Sequence, residues 1–195
     1  MNKCNKVIDL RTFVPFDNKK GFFLDTNVLY WYANPRFSPT SQPNSTAKIY
    51  YNFVDKLIVN KNPLFTSVYN LTELLNVIEK NEYEIYSKLN PSLPLTKKEF
   101  RARPAERATV ERIMRTALNN VRSICTITDF NFTQSTVDEF ISDFSNHRCD
   151  VFDFAILKNC IDTNQLNIIS DDGDFSTIEH INLYTANENV LNATK

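Results

Sequence analysis

The sequence predicts an α/β domain built on a mainly parallel β-sheet. Three observations carry that expectation. Short apolar runs in GFFLD, PLF and LNIIS look like strands buried on both faces. They alternate with longer stretches whose apolar residues recur at helical spacing. The first and last of these runs lead into acidic positions, Asp25 and Asp172.

The elements follow in order. Residues 22–24 are a continuous apolar run ending at Asp25. From Thr46 to about Asn60, the spacing of Ala47, Tyr50, Tyr51, Val54, Leu57 and Ile58 predicts a helix, which Pro63 stops before a short strand at Leu64-Phe65. Val68, Leu71, Leu74, Leu75 and Ile78 predict the next helix, with Thr66 or Ser67 as its N-cap. Pro91, Pro94 and Pro104 mark a loop with a short helical piece. Pro104 then fits the first turn of a helix whose stripe is Val110, Ile113, Met114, Ala117, Leu118 and Val121. A short apolar stretch at Cys125–Ile127, a helix over about 135–144, a helix from near Asp150, a strand at Leu166–Ile169 and a last strand at Ile181–Tyr184 complete the reading.

Bulk composition narrows the options. The chain has 195 residues, is 42% hydrophobic and carries a net charge of −1. That supports one ordinary domain and gives no global electrostatic sign of a polyanionic partner. Four cysteines without CxxC spacing read as reduced, mostly buried thiols of a cytoplasmic protein. No stretch approaches the about 18 apolar residues of a membrane span. Only two glycines occur, Gly21 and Gly173, where average usage would give roughly a dozen. Both lie close to acids, and Gly173 inside an acidic loop reads as the more structurally demanding.

Four acids stand out: Asp25, Glu73, Asp153 and Asp172. Asp25 and Asp172 follow strands, while Glu73 and Asp153 sit on helices after strand-like segments. In open parallel sheets ligands gather at the carboxyl ends of strands, so all four can meet at one edge. A carboxylate at a buried strand end is expensive to desolvate without a positive partner, and no Lys or Arg neighbours any of them in sequence. A divalent cation is the simplest partner, and hard oxygen donors suit Mg²⁺ or Mn²⁺. Asp150, three residues before Asp153, reads instead as a helix-start acid. His147 and His180 show no second ligand at metal spacing.

These residues resemble the PIN-domain nucleases, and among them the VapC-type toxins of toxin–antitoxin pairs. FLDTNVLYW is similar to the family's first-strand motif, SVYNLTELL to the segment with its Glu, DVFDFAILKNC to the helix with its third acid, and IISDDGDF to its final strand and acidic loop. The resemblance implies a three-layer αβα sandwich and a metal-dependent endoribonuclease. It implies Asp25, Glu73, Asp153 and Asp172 as catalytic metal ligands and Asp174 as a fifth acid, with Thr26, Asn27 and Ser170 as supporting polar groups. Ser170 stands where Thr is commoner. Residues 1–20 read as an N-terminal extension and 90–130 as a helical insertion longer than compact members have. RNA is the implied substrate. A toxin role, with an antitoxin protein and a homodimer as partners, and a stand-alone role in RNA processing or decay both stay open.

Substrate signals lie elsewhere. Residues 96–123 hold eight basic residues against three acidic ones, including Arg103, Arg107 and Arg115 as candidate nucleic-acid contacts. A salt-bridged solvated face explains the same pattern. Tyr30, Trp31 and Tyr32 could stack on bases, although core packing is the commoner use of such rings. Two rival classes fit less well. A haloacid-dehalogenase-like phosphatase needs an Asp two residues after the first, where Asn27 stands. A non-catalytic binding module has no reason to keep four mutually repelling acids.

Overall fold

Among the described residues, six strands form one sheet: β1 (Lys6–Asp9), β2 (Phe22–Leu24), β3 (Leu64–Ser67), β4 (Thr126–Thr128), β5 (Asn167–Ile169) and β6 (Asn182–Thr185). The protein is seen in a computed structural model that describes residues 6–15, 17–37, 45–129, 133–146 and 148–193. The strand order is β1-β6-β5-β2-β3-β4, and every neighbouring pair is parallel. The helices are α1 (Thr26–Ala33), α2 (Thr46–Val59), α3 (Val68–Leu89), α4 (Lys97–Arg101), α5 (Pro104–Ile124), α6 (Gln134–Asp143), α7 (Val151–Asp162) and α8 (Glu188–Ala193), with a 3₁₀ turn at Asp174–Thr177.

Side-chain alternation explains why the sheet is covered on both faces. Phe22 and Leu24 point into a core shared with α1, α2, α3 and α5, along with Ile169 and Tyr184. Phe23, between them, points the other way and joins Ile168, Leu183 and the α7 residues Ile156, Leu157 and Cys160. Phe22, Phe23 and Leu24 are completely buried. At about 1.5–3 kcal/mol for each buried side chain, this short strand is a major anchor. The result is the three-layer αβα arrangement that the resemblance implies.

Chain direction positions the site. From β2 the chain moves outward through β3 to β4. It then returns to β5, on the opposite flank of β2, and continues to β6. Right-handed crossovers require the helices of the two halves to lie on opposite faces, as the two cores show. The reversal falls between β2 and β5, so a crevice opens beyond their carboxyl ends.

Local signals account for most boundaries. Ser45 caps α2 by accepting from the Lys48 amide, and Ser67 caps α3 by accepting from the Asn70 amide. Thr96 and Glu99 form a capping box on α4, and Pro104 occupies the first turn of α5. Helix α3 runs to Leu89, well past the apolar stripe that ends at Ile78. Its later buried positions include Glu79 and Glu82, which an apolar pattern does not register. Strand β1 lies in the stretch read as an extension; as a partly exposed edge strand it has no continuous apolar run. The 90–130 segment likewise contributes to the main core through Ile113, Ala117 and Val121. Cys125, Cys149 and Cys160 are free and buried, while Cys4 and His147 lie outside the described residues. No described helix is long and apolar enough to cross a membrane.

The two glycines reverse the sequence reading. A Cβ on Gly21 would stand 2.7 Å from Gln165 Oε1 and 2.9 Å from Phe65 Cε2, too close without movement. Gly173 has φ −72°, and a Cβ there would meet only Val190, at 3.4 Å. Gly21→Ala is therefore expected to lower stability by roughly 1–3 kcal/mol, as overpacking does, and Gly173→Ala to change it little. Thermal denaturation of the two variants checks the contrast; equal melting temperatures would refute it.

Candidate active site

Asp25 is the first residue after β2, and it ends there because α1 begins at Thr26. Its amide donates to the Ile169 carbonyl oxygen (3.1 Å), which ties the turn to β5 at the strand-order reversal. The carboxylate is 5% exposed and accepts from three side chains. Asn70 Nδ2 donates to Oδ1 (3.2 Å), and Asn27 Nδ2 (2.8 Å) and Ser170 Oγ (2.6 Å) donate to Oδ2.

The other acids arrive from different elements. Glu73 lies one turn after Asn70 on α3 and accepts from Thr26 Oγ1 at 2.6 Å; Asn70 also donates to that hydroxyl. Asp153 sits in the first turn of α7, whose N-cap is Asp150, with its side chain accepting from the Phe152 and Asp153 amides. Asp172 follows β5, its amide donating to Ser170 Oγ (2.9 Å) and its Oδ1 accepting from the Asp174 amide (2.8 Å). Asp25, Glu73, Asp153 and Asp172 together line one cleft of about 270 Å³, with Thr26, Asn27, Tyr30, Trp31 and Val77 as its other walls. Asp174, the fifth acid the resemblance implies, is not among the lining residues; its backbone amide holds Asp172.

Electrostatics make the cleft unusual. Among the described residues, no Lys or Arg lines it. Burial pushes the Asp25 carboxyl up to about 7, helped by the charges of Glu73 and Asp172, against the pull of the Ser170 hydrogen bond. Asp153 is also pushed up to about 7, by burial first and then by Asp150, Asp25 and Asp172. Among the described residues, no three His, Cys, Asp or Glu side chains converge closely enough to hold an ion. The acids share the cleft but stand apart, as mutual repulsion favours. Its donor set of hard oxygens fits a divalent cation, whose charge would relieve that repulsion.

Three residues missed in the sequence complete the frame. Asn70 could have been found from its i−3 spacing to Glu73, which places both on one helix face. Tyr50 has no local signal. Its buried hydroxyl lies 2.8 Å from Asp171 Oδ1, 3.1 Å from the Ser170 carbonyl oxygen and 3.0 Å from Thr185 Oγ1, and accepts from the Ala186 amide. Asn187 Nδ2 donates to the Asp171 carbonyl oxygen (2.7 Å), and the Asp171 amide donates to Asn27 Oδ1 (3.2 Å). Asp171 thus faces inward, which leaves its neighbour Asp172 for the cleft.

The substrate candidates divide. Tyr30 and Trp31 line the cleft, although Trp31 also packs on Tyr50 with ring centroids 5.1 Å apart. Tyr32 stacks on Tyr51 and donates to Asp55. In the basic stretch, Arg115 pairs with Glu111, Arg107 with Glu79, and Arg103 lies over the Tyr86 ring. None of these three lines the acidic cleft.

Comparison with solved structures finds likeness over most of the chain. One is a chain in the crystal structure of VapBC2 from Rickettsia felis bound to a DNA fragment from their promoter: 84% of this chain and 96% of that one, 17% identity, TM-score 0.48. Another is in the crystal structure of FitAcB from Neisseria gonorrhoeae: 85% of this chain and 97% of that one, 14% identity, TM-score 0.46. No family model and no curated protein sequence matches. At such identities the chemistry has to be read from the side chains.

The raised carboxyls have a pH consequence for the metal-free protein. Below the ordinary carboxylate range, folded and unfolded chains both hold these protons. As pH rises from about 4 toward about 7, the unfolded chain loses them first, so the folded state loses relative stability. In EDTA the melting temperature should therefore fall between those pH values. Asp153→Asn should flatten the decline, and a profile identical to wild type would refute the coupling.

Proposed function

We propose that this protein is a Mg²⁺- or Mn²⁺-dependent nuclease that hydrolyses RNA phosphodiester bonds. The reading rests on one observation above all: four carboxylates from four separate elements line a single cleft that has no Lys or Arg among its described lining residues. When bound, a divalent ion there would polarise a phosphodiester and lower the pKa of a bound water. Asp25 and Asp172, on the two strand ends, would be its principal ligands, and Glu73 and Asp153 would have to be drawn inward to complete the set, since no three described acids converge without an ion.

The chain's own contribution is positioning. Asn27, Asn70 and Ser170 hold both oxygens of Asp25, so its carboxylate cannot rotate freely. Thr26 fixes Glu73, and the Asp174 amide fixes Asp172. Tyr30 and Trp31 wall the cleft and can exclude water from a bound strand.

Asp25→Asn and Asp172→Asn are each expected to lower metal-dependent cleavage of single-stranded RNA about a hundredfold or more, since even outer partners of a metal site cost 10–100-fold. EDTA should abolish cleavage and Mg²⁺ restore it. Full activity in folded Asp25→Asn with metal present would sink the reading.

A second reading concerns partnership: a toxin restrained by an antitoxin. It is favoured by Val137 and Ile141 on α6 and Phe144 at its C-cap, an exposed apolar stripe at helical spacing, and by exposed Phe152 beside Asp153. A small open reading frame next to the gene, whose product co-purifies with this chain and suppresses cleavage, would establish it.

A further inference from the structure

Glu79 is a buried carboxylate in the middle of α3, and three cations converge on it. Arg101 donates through Nε (2.9 Å) and Nη2, Arg107 through Nη1 (2.9 Å), and Lys97 Nζ lies at 3.5 Å. One guanidinium would satisfy the carboxylate. Two further cations beside it repel one another and the first, so the cluster carries more positive charge than the fold requires. The cations are also turned partly outward, with side chains 39% (Lys97), 49% (Arg101) and 53% (Arg107) exposed. A guanidinium carries more N–H donors than Glu79 engages, so both arginines keep donors toward solvent.

Geometry links the cluster to the cleft. Helix α3 carries both Glu73, in the cleft, and Glu79, about 9 Å along the axis at 1.5 Å per residue and about 120° round it at 3.6 residues per turn, so a strand leaving the cleft would cross the flank of α3 to reach the cations. Neighbouring Arg103 lies over Tyr86, 5.6 Å from the ring centroid, and adds a further cation on the same side of α3. A polyanion whose scissile bond enters an acidic cleft needs positive charge nearby to hold the rest of it.

We propose that Lys97, Arg101 and Arg107, pre-arranged by Glu79, form a binding site for the phosphate backbone of single-stranded RNA outside the cleavage cleft. The identity of the anion rests on the nuclease reading; the site itself does not. Forked arginine donors match phosphate oxygens, and the burial of Glu79 fixes the fork before RNA arrives. The strip keeps Arg107 of the sequence candidates and replaces Arg103 and Arg115 with Lys97 and Arg101, which share Glu79 with it; Arg115 pairs separately with Glu111.

The test measures anisotropy of a short labelled single-stranded RNA across a salt series. The protein is the full chain carrying Asp25→Asn, in EDTA, so cleavage plays no part. Adding Arg101→Gln with Arg107→Gln is expected to weaken binding and lower the slope of log K against log salt by about 1.4, roughly 0.7 for each lost contact. Glu79→Gln loosens the same cluster but keeps every cation, so when folded it should keep its parent's salt slope while losing part of the affinity that pre-arrangement supplies. If the double arginine variant does not fold, Lys97→Gln with Arg107→Gln leaves the Arg101 pairing intact and should show the same loss of slope. Unchanged affinity and slope in a folded double variant would overturn the site. So would an equal loss of slope in folded Glu79→Gln, or displacement of the RNA by an acidic peptide of matched charge as effectively as by unlabelled RNA. Wild-type cleavage with Mg²⁺ is scored separately. Cleavage with no slope change keeps the nuclease and removes the site; a slope change with no cleavage does the reverse.

Discussion

Repulsion among carboxylates gathered at the reversal of strand order is the constraint around which this molecule is organised. A parallel sheet whose order turns back between β2 and β5 must leave a crevice at their carboxyl ends. The chain fills that crevice with acids and surrounds them with neutral donors. Asn27, Asn70, Ser170 and Thr26 stabilise the charged forms without cancelling the charge. An arginine in their place would make a more stable apo protein and a poorer cation site. The net balance lies with burial, which leaves Asp25 and Asp153 titrating near neutrality.

The opposite choice is made six residues further along α3. Glu79 is as buried as Asp25, yet it is held ionised, below its ordinary range, chiefly by Arg101. Glu82, also buried, accepts two hydrogen bonds from the Arg36 guanidinium. One helix therefore carries an acid with no cation beside it and two acids saturated with cations. Burial alone does not separate function from scaffolding; the company of each carboxylate does.

Legibility in the sequence followed the same division. Strands buried on both faces, such as Phe22–Leu24, announce themselves because every residue must be apolar. The acids were legible because Asp25 and Asp172 interrupt or follow such runs. What escaped was whatever depends on pairing across long distances. Strand β1 is half exposed and takes its identity from β6, its only neighbour. The second half of α3 hides its buried face behind glutamates neutralised by arginines on other elements. Tyr50 looks like one more aromatic of a helix stripe, and only the folded chain brings its hydroxyl to Asp171 and Thr185. Gly21 and Gly173 were ranked in the wrong order, because close approach by Gln165 and Phe65 is a tertiary fact.

The hydrogen bond from Ser170 to Asp25 spans 145 residues of sequence. During synthesis the first half of the chain emerges with β2 lacking its β5 neighbour, so the crevice has one wall and half its acids. A ribosome-bound or truncated chain thus lacks a complete crevice by construction. The four acids come together only when nearly the whole polypeptide has been released and its last strands have docked.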